Sequence, residues 1–293
     1  MIPYNKPYQS EKEIQYISDA LQRGHTSGDG FYTKKVQEFM QQKFAIKNVF
    51  MTTSATHALE MAMLVIGLQA GNEVIMPSFT FSSTANAVLL RGGRPVFAEV
   101  EENTLNLNPA DIERHITQNT KAILPVHYGG GGCKMDEILD IAKRHGLYVI
   151  EDAAQGVNAR YKEKYLGTMG HLGCYSFHGT KNYTAGEGGA LLINTEDSRL
   201  VDRAEVIRQK GTDRNRFLRG EVDCYSWLDI GSSYSPSDLL MALLYGQLED
   251  MALITARRKK VYEFYSSLLK KYEERKGVKL AYIPEDCTSN YHI

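Results

Sequence analysis

Three segments of this sequence place chemically competent side chains where an apolar stretch ends. In "TTSATHALEMA" the polar side chains precede a helical pattern, in "LYVIED" they end a strand-like run, and in "GCYSFHGTK" they follow one. The residues concerned are Ser54, Thr56, Glu151, Asp152, Ser176, His178 and Lys181. In a parallel sheet, ligands bind beyond the carboxyl ends of the strands, so these groups are candidates for one site.

Each of these residues also has an ordinary structural interpretation. A lysine is usually a solvated surface residue, and a hydroxyl at a helix start often only caps the helix. Asp152 could cap the turn that follows it, and His178 could be a core histidine satisfied by the backbone. Taken singly, none of these residues indicates a function.

Their combination fits one cofactor, pyridoxal phosphate. This cofactor needs a lysine to form an imine with its aldehyde, a carboxylate beside its ring nitrogen, and a dipole-rich cup for its phosphate. Lys181, Asp152 and the turn Ser54-Ala55-Thr56 supply these three groups. Phe81, in "PSFTFSS", could stack on the face of the ring.

The elements that must position these groups alternate between strand and helix. Ser10 and Glu13 form a capping-box pattern that predicts a helix to about Arg23. Short apolar runs such as "NVFMTT", "EVIMP", "PVFAEV", "KAILPVHY" and "LYVIED" are then separated by helical patterns. This alternation predicts an α/β fold with a mostly parallel sheet covered by helices on both faces. From about Leu239 the pattern is purely helical.

Composition narrows the class of protein. The chain has 293 residues and a formal net charge of −1, so electrostatics give no reason to expect nucleic acid or an anionic membrane as a partner. Its longest apolar runs are shorter than a membrane span, and its first residues contain no signal-peptide core. The four cysteines form no C-x-x-C pair, which favours reduced thiols and a cytoplasmic location. The histidines show no metal-binding spacing, so we expect no metal site.

The segments "GNEVIMPSFTFSSTANAVLLRGGRPVF", "VIEDAAQG", "SFHGTKNYTAGEGGA" and "RAEVIRQKGTDR" resemble the DegT/StrS group of sugar aminotransferases, over nearly the whole chain. The resemblance implies the aspartate-aminotransferase fold (fold type I) and a homodimer with shared active sites. It also implies a large pyridoxal phosphate domain over residues 1–238, and a connecting helix with an incomplete small domain over 239–293.

The resemblance also assigns roles to individual residues. Lys181 matches the imine lysine and Asp152 the carboxylate at the pyridine nitrogen, and these two are the expected catalytic residues. The expected cofactor-binding residues are these two with Ala55, Thr56, Phe81, Gln155, Ser176, His178 and Ser233. Ala55, Thr56 and Ser176 match phosphate contacts, and Gln155 lies near the ring hydroxyl. Ser233, in "GSSY", stands where the family often has an asparagine that reaches the partner subunit's phosphate.

The activity that the resemblance implies is transamination from L-glutamate to a dTDP-linked 4-keto-6-deoxy sugar. A transaminase for another keto nucleotide sugar remains open, and so does an inactive pyridoxal phosphate-binding protein. A sugar dehydratase of the same family is disfavoured, because those enzymes carry histidine in place of the lysine.

Family members continue for roughly another quarter of their length beyond "CTSNYHI". In the region after residue 239, only "VKLAYI" reads as an obvious strand. An apolar stripe on the last helices would then be uncovered, which is an association liability. We therefore expect weak transamination and marginal solubility from the 293-residue chain.

Overall fold

The computed structural model describes residues 5–273, 279–280 and 282–293. These residues contain ten strands, namely β1 (Asn48–Thr52), β2 (Glu73–Pro77), β3 (Arg94–Ala98), β4 (Thr120–Ile123), β5 (Tyr148–Asp152), β6 (Arg160–Tyr161), β7 (Lys164–Tyr165), β8 (Leu172–Ser176), β9 (Gly189–Ile193) and β10 (Cys287–Thr288).

The ten α-helices in the described residues alternate with these strands. They are α1 (Glu11–Gln22), α2 (Phe31–Phe44), α3 (Ala55–Val65), α4 (Ser82–Leu89), α5 (Pro109–Ile112), α6 (Met135–His145), α7 (Ser198–Arg208), α8 (Arg214–Leu218), α9 (Asp238–Glu249) and α10 (Met251–Glu273). The predicted capping box is confirmed, since Ser10 Oγ accepts from the backbone of the first turn of α1 while Glu13 accepts from Ser10 N.

Seven strands form the central sheet, in the order β1-β9-β8-β5-β4-β2-β3. Neighbours from β8 to β3 pair in parallel, whereas β9 runs antiparallel to both β8 and β1. The expectation of a mostly parallel α/β sheet is therefore confirmed. After β8 the chain forms the Lys181 loop, and it then returns as β9, which lies antiparallel beside β8.

Alternate residues of the inner strands enter separate clusters on the two faces of the sheet. Ile75, Ile123 and Val149 pack with helices α2, α6 and α9 on one face, whereas Val74 and Ile150 pack with α3 and α7 on the other. Side chains of a strand point alternately to opposite faces, so a strand with both faces buried becomes almost wholly apolar. This burial makes a charged residue at a strand end unusual and informative.

The last two helices differ in exposure, since the apolar residues of α9 are buried or half-buried whereas α10 is largely exposed. Helix α9 and helix α10 are bent by 65° relative to each other. Val261, Phe264, Tyr265 and Leu268 of α10 are exposed to solvent, so the uncovered apolar stripe expected on the last helices is found on α10 and not on α9. No single helix among the described residues is long and apolar enough to cross a membrane.

The prediction of a strand at "VKLAYI" is wrong where it can be checked. Lys279, Leu280, Tyr282 and Ile283 do not form a strand, and Val278 and Ala281 lie outside the described residues. The chain instead forms β10 a few residues later, which pairs antiparallel with β6 in a small three-stranded sheet. Pro284 lies between the two segments, and the Cys287 N–H bonds to its carbonyl oxygen in a turn. The division into two domains stays a prediction.

Candidate active site

The carboxyl ends of strands β5, β8 and β1 define the candidate site, with β9 lying between β8 and β1 in the sheet. Strand β5 ends at Asp152 and its parallel neighbour β8 ends at Ser176, while β1 leads into the start of α3. Beyond β8 the chain makes a tight loop in which the Lys181 N–H donates to the His178 carbonyl oxygen at 2.8 Å. The fold thus brings the three segments singled out in the sequence to one side of the sheet.

The N-terminus of α3 offers unused hydrogen-bond donors. Ser54 Oγ accepts from His57 N at 3.1 Å, so Ser54 caps the helix as its ordinary interpretation predicts. The backbone N–H groups of Ala55 and Thr56 have no partner within the described residues, and they lie at the positive end of an 11-residue helix. This pair of donors is suited to a phosphate group.

Strand β9 passes directly beneath this turn. A Cβ atom at Gly189 would lie 2.3 Å from the Ser54 carbonyl carbon and 2.5 Å from Ala55 N. Any residue other than glycine there would push the turn away from the sheet. Gly189 therefore allows the close approach of β9 to the α3 N-terminus.

Asp152 is buried without a cationic partner in contact. Its Oδ2 accepts from Thr84 Oγ1 at 2.8 Å and its Oδ1 accepts from Ala154 N at 3.1 Å. No ion pair to Asp152 occurs in the part of the chain that the structure describes. Burial raises the pKa of the Asp152 carboxyl, because desolvation disfavours the charged form. A protonated ring nitrogen would supply the positive charge that this carboxylate lacks.

Lys181 is half-buried, and its amine has no hydrogen bond or ion pair to any residue described. Burial lowers the pKa of the amine, and the field of Asp152 opposes that shift without cancelling it. A lowered pKa enlarges the fraction of neutral amine, which is the form that reacts with an aldehyde or accepts a proton. Lys181 is therefore poised for nucleophilic or general-base chemistry.

Glu151, which precedes Asp152, has an entirely different environment. Its carboxylate accepts from the backbone N–H groups of Gly167 at 2.8 Å, Met169 at 2.6 Å and Gly170 at 2.5 Å. It also bonds to His127 Nε2 at 2.9 Å. Because Cys133 N–H donates to His127 Nδ1, the ring carries its proton on Nε2 and donates it to Glu151. Glu151 is a fully satisfied structural carboxylate.

Gln155 and Ser176 line a small cavity together with Lys181. Gln155 Oε1 accepts from Gly129 N at 2.6 Å, which leaves its amide N–H groups free to donate. Ser176 is buried, and its Oγ accepts from His178 N at 3.4 Å. Both residues are close enough to Lys181 to contact a ligand attached there.

Phe81, His178 and Ser233 are the more exposed of the predicted residues. Phe81 is 73% exposed at the N-cap of α4, with its ring free to cover a ligand. His178 is exposed and bonds to Thr180 Oγ1 at 2.9 Å, so its interpretation as a core histidine is wrong. Ser233 is exposed and pairs with Gln209, while the adjacent Tyr234 carbonyl accepts from Thr53 N. Their cofactor contacts stay predictions.

Asn182, Asn290 and His292 form a second polar wall around Lys181, which was not predicted from the sequence. Asn182 Nδ2 donates to the Asn290 carbonyl at 2.7 Å, so its Oδ1 accepts from His292 Nδ1 at 2.8 Å. Burial is the main cause that lowers the pKa of His292, to about 3, so the ring is neutral with Nε2 unprotonated. The two asparagines are 108 residues apart, and no local pattern reveals this contact.

A cavity of about 470 Å³ opens outward from Lys181 and His292. Basic groups from two elements line it, namely Lys6 near the N-terminus and Arg257 and Arg258 from α10. Arg258 donates to the backbone carbonyls of Tyr291 and His292, which fixes the polar wall to α10. The cavity is large enough for an amino acid or a sugar, and its basic rim favours an anionic ligand.

These features fit pyridoxal phosphate on structural grounds. Among the residues that the structure describes, the site offers a half-buried amine with no partner, a buried carboxylate with no cation, and two unpaired N–H groups at a helix start. These are the groups that the aldehyde, the ring nitrogen and the phosphate of this cofactor require.

Comparison with known proteins agrees with this arrangement. The sequence profile of the DegT/DnrJ/EryC1/StrS aminotransferase family matches residues 7–292. The spore coat polysaccharide biosynthesis protein SpsC of Bacillus subtilis is 35% identical over 298 residues, covering 100% of this chain and 74% of SpsC. GDP-perosamine synthase of Escherichia coli O157:H7 is 32% identical, with 94% of this chain and 75% of the synthase covered.

Two solved structures extend the likeness to the fold. NtdA from Bacillus subtilis with bound cofactor PMP superposes with a TM-score of 0.86 at 29% identity, covering 96% of this chain and 62% of NtdA. DesI in the presence of its TDP-sugar product gives a TM-score of 0.86 at 26% identity, covering 98% of this chain and 69% of DesI. PMP is the amino form of pyridoxal phosphate, so the expected fold type I architecture and cofactor are confirmed.

Proposed function

Because this chain belongs to the DegT/DnrJ/EryC1/StrS aminotransferase family, it is a pyridoxal phosphate-dependent sugar aminotransferase, and we propose a specific reaction for it. In this reaction L-glutamate donates its amino group to dTDP-4-dehydro-6-deoxyglucose, giving dTDP-4-amino-4,6-dideoxygalactose. The observation that carries the proposed chemistry is the pairing of an uncompensated buried carboxylate, Asp152, with an unpartnered lysine, Lys181.

The sugar is inferred from the sequence. The segments "MTTSATHALEMA", "FHGTKNYTAGEGG" and "WLDIGSSYSPSDL" resemble the transaminase that makes this amino sugar for enterobacterial common antigen. The corresponding role is the biosynthesis of a cell-surface polysaccharide. The names of the relatives refer to both GDP-linked and TDP-linked sugars, so the nucleotide has to be tested directly.

When bound, the cofactor supplies an electron sink that stabilises negative charge at the carbon next to the reacting nitrogen. Lys181 would hold the cofactor covalently through its amine and, once free, would move a proton at the carbon of the amino donor. The lowered pKa of this amine favours its role as a base. Asp152 would pair with the ring nitrogen, and the Ala55 and Thr56 N–H groups would bind the phosphate.

The proposal includes a homodimer with shared active sites. Trp227, Leu228 and Ile230 lie exposed in the segment before the exposed Ser233, and Trp227 is 81% exposed. A second copy packed on this apolar segment would bury it and bring Ser233 near the phosphate site of its partner. Sedimentation analysis of the purified protein should give the mass of two chains, and a purely monomeric protein that binds the cofactor tightly would contradict the shared site.

The proposed reaction is tested in two half-reactions. Purified protein loaded with pyridoxal phosphate should convert L-glutamate to 2-oxoglutarate, and the aminated protein should then convert a keto nucleotide sugar to an amino sugar of the expected mass. The panel contains dTDP-, UDP- and GDP-linked 4-keto sugars and a dTDP-linked 3-keto sugar. We expect the fastest turnover with dTDP-4-dehydro-6-deoxyglucose.

The outcomes separate the alternatives. Faster turnover of another sugar would replace the substrate while leaving the chemistry intact. Cofactor binding without any reaction of glutamate would indicate an inactive cofactor-binding protein and would overturn the proposed function.

A further inference from the structure

The first turn of α4 contacts both ends of the candidate cofactor site. At one end, Ser83 Oγ hydrogen-bonds to Thr56 Oγ1 at 2.7 Å, beside the unpaired N–H groups of α3. At the other end, Thr84 Oγ1 donates to Asp152 Oδ2 at 2.8 Å. Phe81 is the N-cap of the same helix, and its side chain is exposed. One helical turn therefore joins the phosphate turn to the catalytic carboxylate.

The direction of the Thr84 hydrogen bond is set by its partners. An ionised Asp152 can only accept, so the Thr84 hydroxyl must donate its single proton to Oδ2. The same oxygen of Thr84 lies 2.8 Å from Thr80 Oγ1, which can therefore only act as donor to it. The three side chains form a directed chain, Thr80 to Thr84 to Asp152.

These hydrogen bonds are important for the orientation of Asp152 because the groups that form them are buried. Thr84 is fully buried and Asp152 is 5% exposed, so water does not replace a lost hydroxyl. Besides Thr84, only Ala154 N–H donates to the carboxylate among the described residues. Within the described chain, Thr84 thus contributes one of two hydrogen bonds that orient the Asp152 side chain, namely the one to Oδ2.

We propose that Thr84 is a positioning residue for transamination, whose hydroxyl orients the Asp152 carboxylate toward the cofactor's ring nitrogen and keeps it ionised. The proposal rests on the proposed function, because it assumes that Asp152 pairs with that nitrogen. Ser83 has the corresponding position at the phosphate end, which makes it a natural control in the same turn.

The electrostatic surroundings of Asp152 agree with this proposal. Burial raises the pKa of the Asp152 carboxyl, and the Thr84 hydrogen bond is the leading contribution that opposes the shift. The Ala154 N–H and the field of Lys181 oppose it as well. Glu151 and the Cys174 thiol are the neighbouring acids, and Glu151 is held by its own four hydrogen-bond donors. Removing the hydroxyl would therefore favour the protonated carboxyl.

The matched variants are Thr84→Val, which keeps the shape of the side chain, Thr84→Ser, which keeps the hydroxyl, and Ser83→Ala. For each, nitrogen-15 NMR of ring-labelled pyridoxal phosphate measures protonation of the ring nitrogen. Cofactor affinity, the melting temperature and the glutamate half-reaction are measured in parallel. A hydrogen bond to a charged group is worth roughly a tenfold to hundredfold effect.

We expect Thr84→Val to shift the ring-nitrogen signal toward the unprotonated value and to lower kcat of the half-reaction about tenfold to hundredfold, with KM for glutamate nearly unchanged. Thr84→Ser should restore both. Ser83→Ala should weaken cofactor affinity without moving the ring-nitrogen signal.

A Thr84→Val protein with unchanged nitrogen signal and kcat, or one that loses only melting temperature, would show that Thr84 is merely structural. These results differ from failure of the proposed function itself. In that case Asp152→Asn would also leave the nitrogen signal and the half-reaction unchanged.

Discussion

The last two residues of β5 are both carboxylates, but their side chains point to opposite faces of the sheet and have very different hydrogen-bond partners. On one side, Glu151 receives three backbone N–H groups and the His127 ring, and all of its neighbours are fixed. On the other side, Asp152 receives one hydroxyl and one N–H and faces the unpartnered Lys181. We refer to these as the structural side and the site side of β5.

The difference shows that a buried carboxylate can either stabilise the fold or bind a ligand. On the structural side the protein supplies enough donors to satisfy the carboxylate, which holds the 167–170 loop in place. On the site side the protein provides too few donors and no cation for the Asp152 carboxylate, so this carboxylate favours the binding of a cationic ligand. The sequence "ED" contains both residues, yet only their partners in the fold distinguish their roles.

The largest expected effect comes from removing the amine on the site side. Lys181→Ala should lower the glutamate half-reaction by at least about 10³-fold, because the proton shuttle and the covalent anchor are lost together. Rapid mixing with glutamate, followed by absorbance of the bound cofactor, measures this rate. Lys134→Ala, which removes a surface lysine paired with Glu101, is the control and should retain the wild-type rate.

The next largest effect concerns the site-side carboxylate. Asp152→Asn should keep the fold and bind cofactor, but lower the half-reaction by about 10²–10³-fold, because the ring nitrogen loses its charged partner. The same rapid-mixing measurement applies, with circular dichroism as the control for folding. Near-normal turnover of this variant would show that Asp152 only caps the following turn.

The reverse pattern is expected on the structural side. Glu151→Gln places an amide group among three N–H donors and the His127 donor, so it should lower the free energy of unfolding by roughly 3 kcal/mol. Urea denaturation measures this loss. The rate per folded molecule should change far less than in Asp152→Asn, and a variant as stable as wild type would contradict the structural role of Glu151.

The smallest effect is a difference in pH dependence in the cofactor-free protein. The folded-state pKa of Asp152 is raised above its unfolded value, so the folded protein binds this proton more readily. The stability that this carboxyl contributes is complete below the unfolded pKa of about 3.8 and is lost as pH rises through the raised folded pKa.

The Asp152→Asn variant has no carboxyl at this position and does not lose this contribution. Its unfolding free energy should therefore increase relative to that of the wild type as pH rises from about 4 toward neutrality. Urea titrations of both apoproteins across this range measure the difference. A difference that does not change with pH would mean that Asp152 is not destabilised by burial.

Much of the fold was predictable because its signals are local. Apolar runs of strand length and the capping box at Ser10 identified most elements. Helix α5 has only four residues, since it ends at Ile112 and a 3₁₀ turn follows. The strands β6, β7 and β10 have only two residues each, too few to show a period.

The site was predictable to the extent that its residues end strands. Lys181, Asp152 and the α3 turn follow from strand ends and from the family resemblance. Thr84 lies 68 residues from Asp152 and His292 lies 110 residues from Asn182, so only the folded chain brings them together. Nothing in the sequence separates Glu151 from Asp152 except the resemblance, because the distinction depends on which face of the sheet each side chain occupies.

The central claim is that Lys181 on the site side carries the cofactor. The most direct measurement is borohydride reduction of the pyridoxal phosphate-loaded protein, followed by proteolysis and peptide mass mapping. We expect a single reduced-cofactor adduct on the peptide that contains Lys181. An adduct on Lys134 or Lys210 instead, with Lys181 unmodified, would contradict it.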